Sequence, residues 1–281
     1  MNPNNRIGFM QGRLSPLIDG RIQAFPWPCW REEFPVAEQH GIRLMEWTLD
    51  QDRLYENPLL TVSGQAEIRK LCRRHGLGIP SLTGDCFMQA PFWKTQGDQG
   101  EALKRDFRAV ATACANIGIS MIVIPLVDNG HLENRAQEDT LLTFLQDQAE
   151  QLASHGLQVV FESDMGPTEL LRLIERFDPA QFGINYDIGN SAAQGFDPTE
   201  EIAAYGHRII NVHVKDRLRG EATVPLGTGS ANFETVFAAL AKAGYKGNYI
   251  LQTARAADGD HARALCRYRD MTIDWVTRHA A

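Results

Sequence analysis

Apolar and polar positions follow a repeating unit along the chain. A short apolar run leads into a polar turn and then a longer stretch with apolar residues on a helical period. The short runs are residues 6–10, 44–49, 78–83, 121–127, 158–162, 182–187, 209–216 and 248–253. Their length and composition read as strands. Between them, residues 62–75, 98–117, 137–155 and 234–243 read as helices, each closed by a glycine: Gly76, Gly118, Gly156 and Gly244. Glycine is the expected stop because it adopts the left-handed cap conformation cheaply. Strands alternating with helices imply parallel strands joined by right-handed crossovers. Eight such units predict an α/β fold, a (β/α)8 TIM barrel, as one domain over residues 1–281. An open doubly wound sheet is the alternative, but no GxGxxG opens a helix after an early strand.

Reactive groups in a parallel barrel stand at the C-terminal strand ends. The polar residues that interrupt or end the eight runs are Glu46, Asp85, Asp128, Glu162, Asp187, His213, Lys215, Asp216 and Gln252. A charge inside an apolar strand is costly unless paired or metal-bound. Period-two alternation puts Asn211, His213 and Lys215 on the face opposite Ile210, Val212 and Val214, and Asp187 on the face of Asn185. Strands five to eight thus each send one oxygen or nitrogen toward the axis: Glu162, Asp187, His213 and Gln252. Two carboxylates, an imidazole and an amide oxygen suit a divalent ion such as Mn, Mg, Co or Zn. Taken singly, Glu162 and Asp187 read better as buried salt-bridge partners of Lys215 or an arginine, and His213 as a hydrogen-bonded core histidine; only the four together favour the metal.

The balance of 28 Lys+Arg against 35 Asp+Glu gives a net charge of −7. An acidic surface repels phosphate backbones, so no nucleic-acid partner is expected. The five cysteines are odd in number and widely spaced, which argues for reduced thiols rather than a disulfide framework. No apolar run approaches a bilayer span of about 20 residues, and the first residues show no secretory pattern. No membrane partner and a cytoplasmic location are expected.

At these strand ends the sequence resembles the xylose isomerase-like barrels of sugar-phosphate isomerases and epimerases. It is most similar in pattern to the L-ribulose-5-phosphate and L-xylulose-5-phosphate 3-epimerases. The segments that carry the resemblance are IGFMQGRLSP, VVFES, NYDIGNSAAQG, NVHVKDRLRGEATVPLGTGSANFETVFAAL and AGYKGNYI. The resemblance implies a Glu–Asp–His–Glu metal set, matched here by Glu162, Asp187 and His213, with Gln252 standing where the family has glutamate. It implies a metal-dependent isomerase or epimerase of a small sugar or sugar phosphate. Such an enzyme removes a proton alpha to a carbonyl through a metal-stabilised enediolate. Glu162 is then the base, and Lys215 an acid or a partner for the enediolate charge. An amide cannot take a proton at neutral pH. A second base is therefore sought among Asp216, Asp85 and Glu46. A homo-oligomer is common among such barrels, but no interface patch stands out in the sequence.

Further residues are expected to bind substrate: Glu46, Asn190, Asp216, Arg217, Gly227, Gly229 and Arg255. Gly227 and Gly229 lie in a GTGS turn before a helix, where small residues let backbone amides approach an anion such as phosphate. The aromatic segments 26–30 and 86–93 are expected to fold over the pocket as lids or to pack between loops. Two other functions compete. One is a lyase resembling inosose dehydratase. The other is a sugar-phosphate-binding protein on a barrel that has lost its chemistry, with Gln252 in its favour. An apurinic endonuclease is disfavoured by the single strand-end histidine and the negative charge.

Overall fold

The computed structural model describes residues 3–279, with side chains from residue 5. Eight parallel strands close into a barrel: β1 (Ile7–Met10), β2 (Leu44–Thr48), β3 (Gly78–Thr83), β4 (Met121–Leu126), β5 (Gln158–Ser163), β6 (Phe182–Asp187), β7 (Ile209–Val214) and β8 (Asn248–Leu251). Each strand pairs with its sequence neighbours, and β1 closes the ring against β8 through Ile7–Tyr249, Gly8–Ile250 and Phe9–Leu251. The barrel expected from the alternation is therefore present. Strand ends differ from expectation by at most a few residues, and Gln252 falls one position past β8. A short hairpin, Asp216–Arg217 with Thr223–Val224, follows β7 at the rim.

Helices cover the outside. Val62–His75 and Gly97–Ile117 end as their patterns predict, with Gly76 at φ 60° and Gly118 at φ 87°. Residues 137–155 were expected to form one helix, but the chain breaks at Gln148 into Arg135–Asp147 and Ala149–Ser154. The Gln148 side chain is drawn sideways, accepting from Arg108 Nε at 2.9 Å. Asn57, Thr61, Asn134, Asp187, Asp197, Asn232 and Asp260 cap their helices by accepting backbone N–H bonds, satisfying groups the first turn leaves open.

The barrel wall packs outward on the helices through a continuous apolar core that includes Met45, Trp47, Ile122, Ile124, Phe161 and Val212. Of the two readings open for the aromatic segments, lids or packing between loops, the large rings follow the second and join this wall. Phe25 and Trp30 stack around Trp47 at 5.4 and 5.7 Å. Trp93 meets Phe92 at 5.0 Å and donates to Gly130 O. Segment 86–93 nevertheless reaches the open end of the barrel, where Met88 and Gln89 line a cleft. Inside the barrel, the layer below the rim is polar instead: Glu46, Ser81, Asn185, Asn211 and His213 are buried there. Among the described residues, no helix is long and apolar enough to cross a membrane.

Candidate active site

The ends of β5, β6 and β7 bring Glu162, Asp187 and His213 together, with one ligand atom from each within 4.8 Å of the others. Strand register explains the meeting, because Asp187 is the ladder partner of His213. Side-chain alternation turns both residues off the apolar wall. Asp187 divides its oxygens between two tasks. Oδ1 accepts the Asn190 N–H that opens the next helix, and Oδ2 faces Lys215 Nζ at 3.2 Å.

His213 is held by Glu46. The Glu46 carboxylate lies 2.7 Å from His213 Nε2 and also accepts from Ser81, Thr83 and Asn211 at 2.6, 2.5 and 3.0 Å. Nε2 therefore carries the proton, and Nδ1 is left for the site. Nδ1 lies 2.9 Å from Glu162 Oε2 but out of line for a hydrogen bond, so it is a buried nitrogen without a hydrogen-bond partner. Burial opposes a charge on the imidazole, yet Glu46 and Glu162 outweigh it and raise His213 to about 10. A divalent cation would take over the role of that proton. Its ligand imidazole would already have the carboxylate partner that metal-bound histidines usually keep on the far nitrogen. The donor set thus fits a divalent cation held by Glu162, Asp187 and His213, with the Gln252 oxygen beside them.

Lys215 stands among these groups. Its ammonium donates to Asp187 Oδ2 and Asn190 Oδ1, both at 3.2 Å, and to Gln252 Oε1 at 3.4 Å. Gly189 makes this placement possible, since a Cβ there would come within 2.6 Å of Lys215 Cγ. Asn190 donates to Glu162 Oε1 at 2.7 Å and accepts from Arg217 at 2.9 Å, linking the Glu162 carboxylate to the two cations. Burial would raise the Glu162 pKa, but His213 and Lys215 outweigh it and hold the carboxyl below its usual range. For Asp187 burial prevails over Lys215, and its pKa is raised.

An open cleft of about 530 Å³ lies above these groups, lined among others by Glu162, Asn190, Lys215, Arg217, Gln252 and Asp85. Five of the expected substrate residues lie elsewhere. Glu46 sits below the cleft, fully buried and saturated by its donors, and positions His213 instead of meeting substrate. Asp216 is also fully buried. Its Oδ2 accepts from the amides of Gly227 and Gly229 at 2.9 and 2.8 Å, and its Oδ1 from Ala231 at 3.1 Å. The GTGS turn does cradle an anion, but that anion is the chain's own carboxylate. Gly227 and Gly229 therefore have no free amide for a phosphate.

Arg255 is the fifth. It donates to Ser15 O at 2.5 Å and to Ile22 O at 3.3 Å, fastening the loop after β1 outside the cleft. Gln23 on that loop was not legible in the sequence, because no periodicity marks a loop residue. Asn185 and Asn211 carried a signal in their inward alternation.

The Asp216 cradle gives a direct expectation for stability. A Cβ at Gly229 would overlap Asp216 Oδ1. Gly229→Ala is expected to destabilise the fold by about 2 kcal/mol, read from urea denaturation. A loss below about 0.5 kcal/mol, the range of neutral surface changes, would show that the carboxylate does not organise the loop.

Residues 34–269 match the family model described as Xylose isomerase-like TIM barrel. The chain belongs to this family. L-ribulose-5-phosphate 3-epimerase UlaE of Escherichia coli O1:K1 is 26% identical over 269 residues, covering 90% of each chain. Among solved structures, D-psicose 3-epimerase from Clostridium cellulolyticum H10 superposes with a TM-score of 0.74 at 12% identity, covering 98% of this chain and 100% of that one. A xylose isomerase-like TIM barrel protein from Mycobacterium smegmatis, in complex with magnesium, gives 0.72 at 18% identity, covering 98% and 97%. The two solved structures share the barrel with this chain, whose strand ends hold the Glu–Asp–His cluster described above.

Proposed function

We propose that this member of the xylose isomerase-like family is a divalent-metal-dependent isomerase or epimerase of a small sugar or sugar phosphate. Its chemistry is proton removal alpha to a carbonyl. The observation that carries the reading is the convergence of Glu162, Asp187 and His213 around an unpartnered imidazole nitrogen. The names of the relatives, a sugar-phosphate 3-epimerase and a ketose 3-epimerase, support it.

A divalent cation held by Glu162, Asp187, His213 and Gln252 would polarise the substrate carbonyl and its neighbouring hydroxyl. The chain's own groups do the rest. Glu162 takes the alpha proton as general base, its carboxylate aimed by Asn185 and Asn190 at 3.0 and 2.7 Å. Lys215 stands ready to donate toward the negative oxygen of the enediolate, since its ammonium already bridges three oxygens at that point. Asn190 and Arg217 offer the cleft polar groups for substrate hydroxyls. With the GTGS amides engaged by Asp216, Lys215 and Arg217 are the cationic side chains lining the cleft for an anionic substituent.

The test has two parts. Calorimetric titration with Mn2+ is expected to show one ion per chain, and His213→Ala to abolish that binding. Nuclear magnetic resonance in D2O, with a panel of ketoses and ketose phosphates, is expected to show deuterium entering the carbon next to the carbonyl only when the metal is present. Water loss from the substrate would favour a lyase. Binding without exchange in any member of the panel would favour a non-catalytic barrel.

A further inference from the structure

Gln252, just past β8, is part of an ordered chain of hydrogen bonds. Arg13 Nη2 donates to Gln23 Oε1 at 3.2 Å, and Gln252 Nε2 donates to the same oxygen at 2.7 Å. Gln23 Nε2 then donates to Asp85 Oδ2 at 2.6 Å. At the other end, Lys215 donates to Gln252 Oε1 at 3.4 Å. Both amide orientations follow from the cations. Arginine and lysine only donate, so the oxygen of Gln23 must face Arg13 and the oxygen of Gln252 must face Lys215. The two NH2 groups are thereby directed along the chain toward Asp85.

Asp85 opens the short helix after β3 and lines the same cleft as Glu162 and Lys215. Among the described residues it accepts one hydrogen bond, from Gln23, although it is only 6% exposed. Burial, helped by Asp50 and Glu162, raises its carboxyl to about 7 against the opposing effects of Gln23 and Arg13. A carboxyl in that range holds a proton part of the time and can both give and take one near neutrality.

We infer that Asp85 is the second acid–base group of this site, held in place by the Arg13–Gln23–Gln252–Lys215 chain, and that the reaction is therefore a two-base epimerisation. The inference rests on the enolisation reading above. Glu162 takes the alpha hydrogen as a proton and the C–H electron pair enters the enediolate. The Asp85 carboxylic acid gives its proton to the opposite face of the same carbon, whose new C–H bond is formed by the returning electron pair. Glu162 is left protonated and Asp85 ionised, and exchange with solvent resets both. No oxidant or reductant is consumed.

A glutamate at 252 would have no N–H for Gln23 Oε1. Two oxygens would then face each other, and relief by turning the Gln23 amide would withdraw the donor from Asp85.

The experiment follows the Mn2+-loaded enzyme in D2O with the ketose panel and records two quantities, epimer formed and deuterium incorporated. In Asp85→Asn, which keeps the shape and an acceptor for Gln23, the ratio of epimer to deuterium is expected to fall about 100-fold. Glu162 then exchanges hydrogen on one face without inversion. Gln252→Glu is expected to lower epimer formation about tenfold or more. An Asp85→Asn ratio within twofold of the parent, an aldose as the product, or a gain of epimer formation in Gln252→Glu would overturn the inference while leaving enolisation intact. Absence of exchange in the parent enzyme would overturn both.

Discussion

Glu162→Gln is expected to lower deuterium exchange and turnover by about 10³-fold. The amide keeps the size of the side chain but cannot accept a proton at neutral pH. It also removes one of the two negative charges around the expected cation, so metal affinity falls as well. The two effects separate at saturating Mn2+, where kcat reports the lost base and the metal titration reports the lost charge. Asp187→Asn supplies the comparison, since it weakens the cation site while leaving the base in place. If Glu162→Gln and Asp187→Asn lose kcat equally once saturated with metal, Glu162 is a ligand only and the base lies elsewhere.

Glu46→Gln carries the second large effect, although Glu46 meets no substrate. Its carboxylate is the partner of an imidazole that shares none of its surface with water. Removing one member of such a buried pair strands the other, at a cost of about 3 kcal/mol or more. Denaturation of the metal-free protein reads that loss. The same change frees the His213 ring to turn, and metal affinity is expected to fall about 10- to 100-fold, the usual consequence of losing a carboxylate behind a ligand histidine. If calorimetry finds the affinity unchanged, His213 does not meet the cation through Nδ1.

The barrel was legible because its signals are local and repeated. Apolar runs of strand length recur, and glycines such as Gly76 and Gly118 close the helices where left-handed backbone is required. The meeting of Asp187 with His213 was legible for the same reason, since side-chain alternation in Phe182–Asp187 and Ile209–Val214 fixes which residues turn inward. What escaped the sequence is who partners whom. Asp216 reads as a substrate or acid–base candidate and the GTGS amides as an anion site, and only folding shows that they satisfy one another. Glu46 looked like a rim residue, but its strand places it a layer deeper, across from Ser81 in register. The aromatic segments carry the same composition whether they cover a pocket or fill a wall, and their partners, Trp47 for Trp30 and Phe144 for Phe92, are known only once the chain is folded.

The barrel's closing seam has a consequence for synthesis on the ribosome. Gln23 and Gln252 are 229 positions apart, and Arg6 meets Gly247 across 241. Contacts of such separation form late, after most of the chain has been made. A nascent chain that has already produced Glu46, Glu162 and His213 still lacks β8 and the amide that reaches Gln23. It presents two unpaired strand edges, β1 and β7, to its surroundings. Polypeptides released before residue 252 should therefore be both inert and prone to stick to one another, which makes prompt completion of the last thirty residues a condition for soluble yield.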